Sequence, residues 1–400
     1  MNRPIIKPSR IAFITDAITQ NHAGIGRYAS NIFRELSISG NVTKPVDWRK
    51  REYLSHLPSK DRLSYVRIHN GWPCFKTLLW HMTLIRALEQ FSSEFDIVFN
   101  PSQFLHLVGN LSVPYVYVVH DLSFFSFPEC HKHGKKILFG LLFEHTLKNA
   151  DCIVCVSRYT RDELLKRYPL LEKRVKVVHE AAEEKFRPIR DVEALTIVRK
   201  KYDLPARFLL FVGTVEPRKN LETVFLAYDR FKEQIPLPFY IAGKPGWRSR
   251  RLLRLHERLR LKSRIRFMGY IPDDELPVLY NLATALVYLS RDEGFGLPPL
   301  EAMQCGTPVM VSNAGSLPEI TGDAALVISG DDPEIVGKNL QTLCKDGELR
   351  RHLREKGLER AGAFSWKKTG ESLEVLFQEL SGQHRNGRPI STQAERRLPD

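Results

Sequence analysis

Short runs rich in valine, isoleucine and aromatics alternate with stretches of helical spacing along almost the whole chain, and they do so in two series. The first holds RIAFITD (Arg10–Asp16), DIVFN (Asp96–Asn100), PYVYVVH (Pro114–His120), DCIVCVS (Asp151–Ser157) and VKVVHE (Val175–Glu180). The second holds FLLFVG (Phe208–Gly213), FYIAG (Phe239–Gly243), IRFMG (Ile265–Gly269), ALVYLS (Ala285–Ser290), PVMVS (Pro308–Ser312) and AALVIS (Ala324–Ser329). Near-continuous apolar runs of this kind suit parallel strands that helices cover on both faces. Strand–helix alternation predicts the α/β class, and its repetition predicts two Rossmann-like parallel-sheet domains. A chain of 400 residues is also too long for one ordinary core.

The polar stretch EEKFRPIRDVEAL separates the two series and puts the boundary within Ala181–Arg190. Residues 1–185 are expected to form the first domain and 186–363 the second. FSWKKTGESLEVLFQEL has helical spacing with Ser365 as its N-cap, so a last helix is expected within 364–381. Residues 382–400 offer little to bury and are expected to be disordered.

The start of the sequence, MNRPIIKPSRIAFITD, has no long apolar stretch and no small-residue cleavage site. The run ILFGLLF (Ile137–Phe143) falls far short of the roughly 20 residues that span a membrane. The sequence reads as that of a cytoplasmic protein. Of six cysteines only Cys152 and Cys155 have C-x-x-C spacing, within a strand-like run. Their sulfurs would point to opposite faces, so buried thiols are expected and a zinc site is not. The formal charge of +14 points to anionic company such as phosphate esters, acidic lipid or nucleic acid.

Ligands of open α/β sheets bind beyond the carboxyl ends of the strands. With two such sheets, the economical place for a site is a cleft between them. After the first strand, Gly24-Ile25-Gly26-Arg27-Tyr28-Ala29 matches the dinucleotide pattern G-x-G-x-x-A. The loop ahead of Gly24 is long for that pattern, and ISGNVTKPVDWRKREY beyond it shows only Asp47 and no clear strand. NAD binding is therefore the lesser reading, beside a phosphate-approaching loop or a plain helix-capping turn. His120 ends a strand, where it could face a ligand or merely fill a turn beside Asp121.

FVGTVEPRKNLETVF says more. Asn220 can cap a helix starting at Leu221, which sets Arg218 and Lys219 against the positive end of its dipole. Solvated surface cations remain one explanation; a diphosphate held between the cations and the backbone is the other. In EGFGLPPLEA, Pro298 or Pro299 suits the first helical position and Glu301 falls in or near the first turn. Gly294 and Gly296 allow close backbone approach. Glu293 and Glu301 are either ordinary surface acids or a carboxylate pair for polyol hydroxyls beside a phosphate.

AGIGRYASNI, VVHDLSFFSFPE, FVGTVEPRKN, FMGYIPDDELPVLYNLA, EGFGLPPLE and GTPVMVSNAGSLPEI occur in this order along the chain. The set resembles the retaining, family 4 type of glycosyltransferases of GT-B architecture, from about Arg10 to Ser381. The resemblance implies that Gly24 and Gly26 approach donor phosphates and acceptor, and that His120 lies beside the transferred sugar. It implies that Arg218 and Lys219 neutralise the diphosphate and that Glu293 contacts sugar hydroxyls at the reaction centre. Glu301 would hold the ribose, Phe295, Gly296 and Leu297 would offer backbone N–H groups, and Tyr270 and Ile271 would lie at the base. The last helix would brace the first domain.

No Asp-x-Asp occurs, and the two cations can take a metal's electrostatic role, so neither a metal ion nor another cofactor is expected. The flavour of the motifs points to a mannosyltransferase using GDP-mannose, with another GDP- or UDP-sugar as the alternative. The acceptor would be a glycan or lipid-linked molecule in bacterial surface polysaccharide assembly. An NAD-dependent oxidoreductase and a non-catalytic nucleotide-sugar-binding protein are the rival functions. Two basic clusters remain. Trp247–Phe267 carries nine Arg or Lys and one Glu, which a solvated helix face explains. HKHGKKILFGLLF (His131–Phe143) joins cations to an apolar run and suits peripheral contact with an anionic membrane, at its cytoplasmic face. No nucleic-acid-binding motif is present.

Overall fold

A computed structural model of the chain describes residues 8–14, 24–46, 92–103, 111–127 and 136–385. These residues form two compact units. The chain passes from the first to the second between Glu180 and Ala181 and returns to the first at Trp366, and residues 123–127 group with the second.

The first unit contains β1 (Arg10–Ile14), β2 (Val42–Val46), β3 (Ile97–Asn100), β4 (Tyr115–Val119), β5 (Cys152–Cys155) and β6 (Val175–Val177). They form one parallel sheet in the order β2-β1-β3-β4-β5-β6. Every residue of β3, β4 and β5 is buried, as their unbroken apolar runs require. Strand β2 corrects the sequence reading, which finds no clear strand there. VTKPV contains Pro45, which cannot donate to a ladder, but β2 is the edge strand and pairs with β1 alone. Asp47 lies outside the described residues.

The last helix, Trp366–Arg385, belongs to this unit and runs a few residues beyond its expected end. Its Glu374 accepts from Asn41 Nδ2 at 2.6 Å, its Thr369 donates to the His179 carbonyl at 2.8 Å, and Phe377 meets Phe99 edge-on. Residues 386–400, expected to be disordered, lie outside the described residues.

The second unit contains β7 (Leu209–Val212), β8 (Phe239–Ala242), β9 (Ile265–Gly269), β10 (Ala285–Tyr288), β11 (Val309–Ser312) and β12 (Leu326–Ile328). This sheet is also parallel, in the order β12-β11-β10-β7-β8-β9. From β7 the chain builds outward through β8 to β9, then returns to β10 beside β7 and builds outward the other way. Loops leaving β7 and β10 therefore diverge from adjacent strands.

Two helix starts differ in detail from the sequence reading. Helix Leu221–Arg230 begins where expected, but Asn220 is left-handed (φ 56°) and its side chain makes no cap hydrogen bond. Its Nδ2 donates instead to the Gly330 carbonyl at 2.7 Å, and its Oδ1 accepts from Thr223 at 2.7 Å. Helix Leu297–Gln304 begins one residue before Pro298, so the prolines take its second and third positions and Glu301 stands in its second turn. Prolines fit there because the first four N–H groups of a helix have no intrahelical partner.

Candidate active site

The second sheet reverses its order between β7 and β10, the kind of point at which open α/β sheets bind ligands. After β7 the chain makes one 3-10 turn, Pro217–Lys219, which presents Arg218 and Lys219 just before helix Leu221–Arg230. After β10 it descends through Asp292 and Glu293 to Gly296, whose φ of 101° starts the next helix. That positive φ favours glycine, and a Cβ there would also press on Leu317 Cδ2 at 2.8 Å.

These two loops meet through Glu293. Its Oε1 accepts from Lys219 Nζ at 2.5 Å, and its Oε2 lies 3.2 Å from Arg218 Nη1. Arg218 also donates to Glu216 Oε1, at 3.0 Å through Nη2 and 3.3 Å through Nε, and to the Asp292 carbonyl. The sequence reading missed a further member, Tyr288, the last residue of β10. Its Oη lies 2.8 Å from Lys219 Nζ and 3.0 Å from Glu293 Oε1. The ammonium donates to phenol and carboxylate, and the phenol proton goes to the carboxylate.

Lys219, Tyr288 and Glu293 are all less than a tenth exposed, so their charges are felt strongly. Burial alone would raise the Glu293 carboxyl. The Lys219 and Arg218 charges, with the hydrogen bond from Lys219, overcome burial and hold it at about 2. Burial, reinforced by Glu293, pushes the Tyr288 phenol well above its ordinary range, which keeps it a neutral donor. Burial also draws the Lys219 ammonium below its usual range, and Arg218 adds to this against the pull of Glu293.

A loop after β11 fixes the Glu293 backbone. Ser316 N donates to the Glu293 carbonyl at 3.0 Å and Ser316 Oγ to the Phe295 carbonyl at 2.7 Å. Gly315 holds φ 62°, and a Cβ there would meet Glu293 N at 2.6 Å. Its role was visible in the sequence only as part of NAGSLPEI. Phe295 is buried edge-on against Phe364. Because Pro298 and Pro299 lack an N–H, the backbone donors at this helix start come from Gly296 and Leu297.

Glu301 is fully buried and its Oε2 accepts from Tyr280 Oη at 2.9 Å. Tyr270, just past β9, is half exposed with Lys244 Nζ 4.4 Å from its ring centroid, and Ile271 is buried.

The remaining candidates belong to the first unit. Gly24 and Gly26 form the first turn of helix Gly24–Ile38, whose leading N–H groups lack helical partners. The loop ahead of them, residues 15–23, lies outside the described residues. His120 follows β4 and is buried, with Nδ1 2.8 Å from Glu180 Oε1 and Nε2 2.8 Å from the Pro101 carbonyl. Both ring nitrogens lie within hydrogen-bond distance of an oxygen, which favours the protonated ring. Burial opposes that charge, but Glu180 outweighs it and raises the pKa of His120 above 6.5. Both ring nitrogens are thus engaged within the first unit. Tyr28 packs edge-on against it with ring centroids 4.8 Å apart.

Cys152 and Cys155 are buried free thiols in β5, and burial pushes Cys152 up to about 12. Cys74, Cys130 and residues 131–135 of the His131–Phe143 cluster lie outside the described residues, and the rest of that cluster begins helix Lys136–Asn149. Helix Ser249–Arg258 carries the other basic cluster, with Arg250, Arg251, Arg254 and Arg258 exposed and Leu255 and His256 buried. Among the described residues no helix is long and apolar enough to cross a membrane, and no three His, Cys, Asp or Glu converge as a metal site.

Comparison with known proteins places the family and the fold. Residues 196–360 match the family of glycosyl transferases group 1, and residues 24–183 match glycosyltransferase family 4. The O-antigen chain mannosyltransferase B of Escherichia coli is 29% identical over 366 residues, which span 89% of this chain and 96% of that one. The serotype-specific mannosyltransferase WbdA of Escherichia coli is 33% identical over 56% of this chain, though only 28% of WbdA is matched. Among solved structures, sucrose-phosphate synthase from Thermosynechococcus elongatus has a TM-score of 0.74 at 21% identity, covering 94% of this chain and 99% of that one. Anabaena HepE, in complex with UDP and glucose, has a TM-score of 0.71 at 16% identity, covering 93% of this chain and all of that one. The chain belongs to the group 1, family 4 type of glycosyltransferases, and its two parallel-sheet domains are those of the GT-B fold.

Proposed function

We propose that the chain is a retaining, metal-independent glycosyltransferase that moves mannose from GDP-mannose to a glycan or lipid-linked acceptor during assembly of bacterial surface polysaccharide. One observation carries the reading: Arg218, Lys219 and Glu293 converge at the β7–β10 switch point. Two cations there suit a diphosphate leaving group, whose charge grows as the glycosidic bond breaks. The mannosyltransferase names of the two relatives support the choice of sugar, and the UDP bound by HepE supports a nucleoside diphosphate.

In this reading Glu293 contacts the sugar hydroxyls and Glu301 the ribose hydroxyls. The Gly296 and Leu297 amides, with the Phe295 backbone, meet sugar and phosphate, and Tyr270 and Ile271 flank the base. Gly24 and Gly26 approach the phosphates and acceptor, and His120 sits beside the sugar. A carboxylate held at about 2 by several donors is a weak nucleophile. That favours front-face attack, with Glu293 stabilising positive charge on the sugar rather than forming a covalent bond to it. Cytoplasmic operation at the inner face of the membrane, through a basic segment, completes the proposal.

The test is a thermal-shift panel of GDP, UDP, ADP and NAD without added metal, repeated with EDTA, followed by a sugar-transfer assay. GDP at about 100 times its Kd adds about 2.7 kcal/mol of stability and a shift of a few degrees. Stabilisation by GDP unaltered by EDTA, with release of GDP from GDP-mannose on addition of acceptor, is expected. Stabilisation by NAD alone would overturn the transferase reading. GDP-mannose binding without turnover would make the chain a sensor.

A further inference from the structure

Lys219 sits on a turn and Glu293 on a loop, yet they meet on a rigid element. Tyr288 closes β10 in the middle of the second sheet, about 1% exposed, with its ring stacked on Phe211 of the neighbouring β7 at 5.6 Å and 12°. The same ring lies 5.1 Å from Lys219 Nζ. Its hydroxyl is the only part of the side chain that reaches both charged partners, at 2.8 Å and 3.0 Å. An ammonium has three N–H groups. Phenol and Glu293 take two of those on Lys219, which leaves a third for an incoming acceptor.

We propose that Tyr288 is a positioning residue of the transfer reaction: its phenol fixes Glu293 Oε1 and Lys219 Nζ as one unit, so that carboxylate and remaining ammonium N–H keep separate tasks at sugar and diphosphate. The proposal rests on the glycosyltransferase reading above. A sheet-anchored hydroxyl suits this role because loop side chains need a supporting shell to hold reacting groups within about 0.5 Å. Without the hydroxyl, Lys219 Nζ and Glu293 Oε1 keep their ion pair but lose the sheet-anchored contact that fixes its position, and the carboxylate loses one of its donors. The phenol also adds no charge to a buried cluster already carrying two cations and two acids.

Tyr288→Phe keeps the ring, its stacking and its contact with the ammonium, and removes the hydroxyl alone. With GDP-mannose and the full chain, kcat is expected to fall about 10- to 100-fold, the scale of a small misplacement of reacting groups. The donor KM, GDP affinity and the thermal midpoint are expected to stay close to those of the wild type. An unchanged kcat overturns the proposal. So does a parallel fall of kcat, GDP affinity and midpoint, which marks a merely structural role. Failure of the wild type to transfer sugar to any acceptor tested, or to hydrolyse the donor, removes the transferase reading and this proposal with it. Wild-type turnover with an undiminished Tyr288→Phe variant removes this proposal alone.

Discussion

Glu293→Gln is the perturbation that speaks most directly to the site. The carboxyl is held at about 2, against an ordinary value of 4.5, mainly by the Lys219 and Arg218 charges. That drop corresponds to about 3 kcal/mol of stability at neutral pH. Because the folded-state value is depressed, the contribution is full above about pH 5 and fades as pH falls toward about 2. The glutamine variant lacks it at every pH; seen from Lys219, left beside a neutral amide, this is the same loss that removing one partner of a buried pair produces, about 3–5 kcal/mol. Urea unfolding at pH 7 should therefore show the variant less stable by about 3 kcal/mol, and the gap should narrow between pH 5 and pH 3.

The same change should strengthen diphosphate binding. In the proposed site, a unit negative charge at a separation on the order of 6 Å from a bound diphosphate would repel it by about 2–3 kcal/mol per unit charge at an effective dielectric near 20. Relaxation of the freed cations absorbs part of this, and GDP is expected to bind about tenfold more tightly to the variant by calorimetry, while sugar transfer falls at least 100-fold. From the motif alone Glu293 looks remote from the diphosphate, and little change in affinity would follow. The ion pairs to both cations alter that expectation. Weaker GDP binding by Glu293→Gln, or a stability gap that does not move with pH, would refute the reasoning.

Other changes test other parts. Glu301→Gln should weaken GDP binding about tenfold by calorimetry, the scale of a lost charge-assisted hydrogen bond to ribose, and leave deoxyribose nucleotides less affected. In the first unit, His120 has a folded-state pKa raised above 6.5 by Glu180, so its stabilisation is full below about pH 6.5 and is lost as pH rises through the higher folded value. The thermal midpoint of Glu180→Gln should accordingly fall less than that of the wild type between pH 6 and pH 9. Gly315→Ala puts a Cβ at φ 62° and 2.6 Å from Glu293 N, and should cost about 1–3 kcal/mol in urea unfolding and at least tenfold in transfer rate.

The strands were the most legible part of the sequence, because a strand buried on both faces must be apolar throughout. β2 escaped since an edge strand tolerates a proline and polar residues, and nothing local distinguishes VTKPV from a loop. Arg218 and Lys219 could be picked out because cations before a helix start are locally unfavourable, a conflict that sequence displays. Tyr288 could not. A tyrosine at a strand end looks like core, and only the sheet order, which places β10 beside β7, sets its hydroxyl between Lys219 and Glu293. The diversion of Asn220 from capping to Gly330 likewise depends on a loop more than a hundred residues away.

The charges of the second unit also explain why its motifs have to be taken together. Arg218 and Lys219 leave β7; Glu293 leaves β10 some seventy residues later, and Glu216 and Tyr288 stand beside them. A lone buried ammonium or carboxylate would give up its charge before giving up its hydration. Here each is kept ionised by the other loop, so neither motif could form a buried charged site by itself. Crossovers through β8 and β9 carry the chain away from β7 and bring β10 back against it. Loss of either loop's charges should thus be felt in the other loop's geometry. Where independent sites would add, double variants such as Lys219→Met with Glu293→Gln should cost less stability than the sum of the single changes.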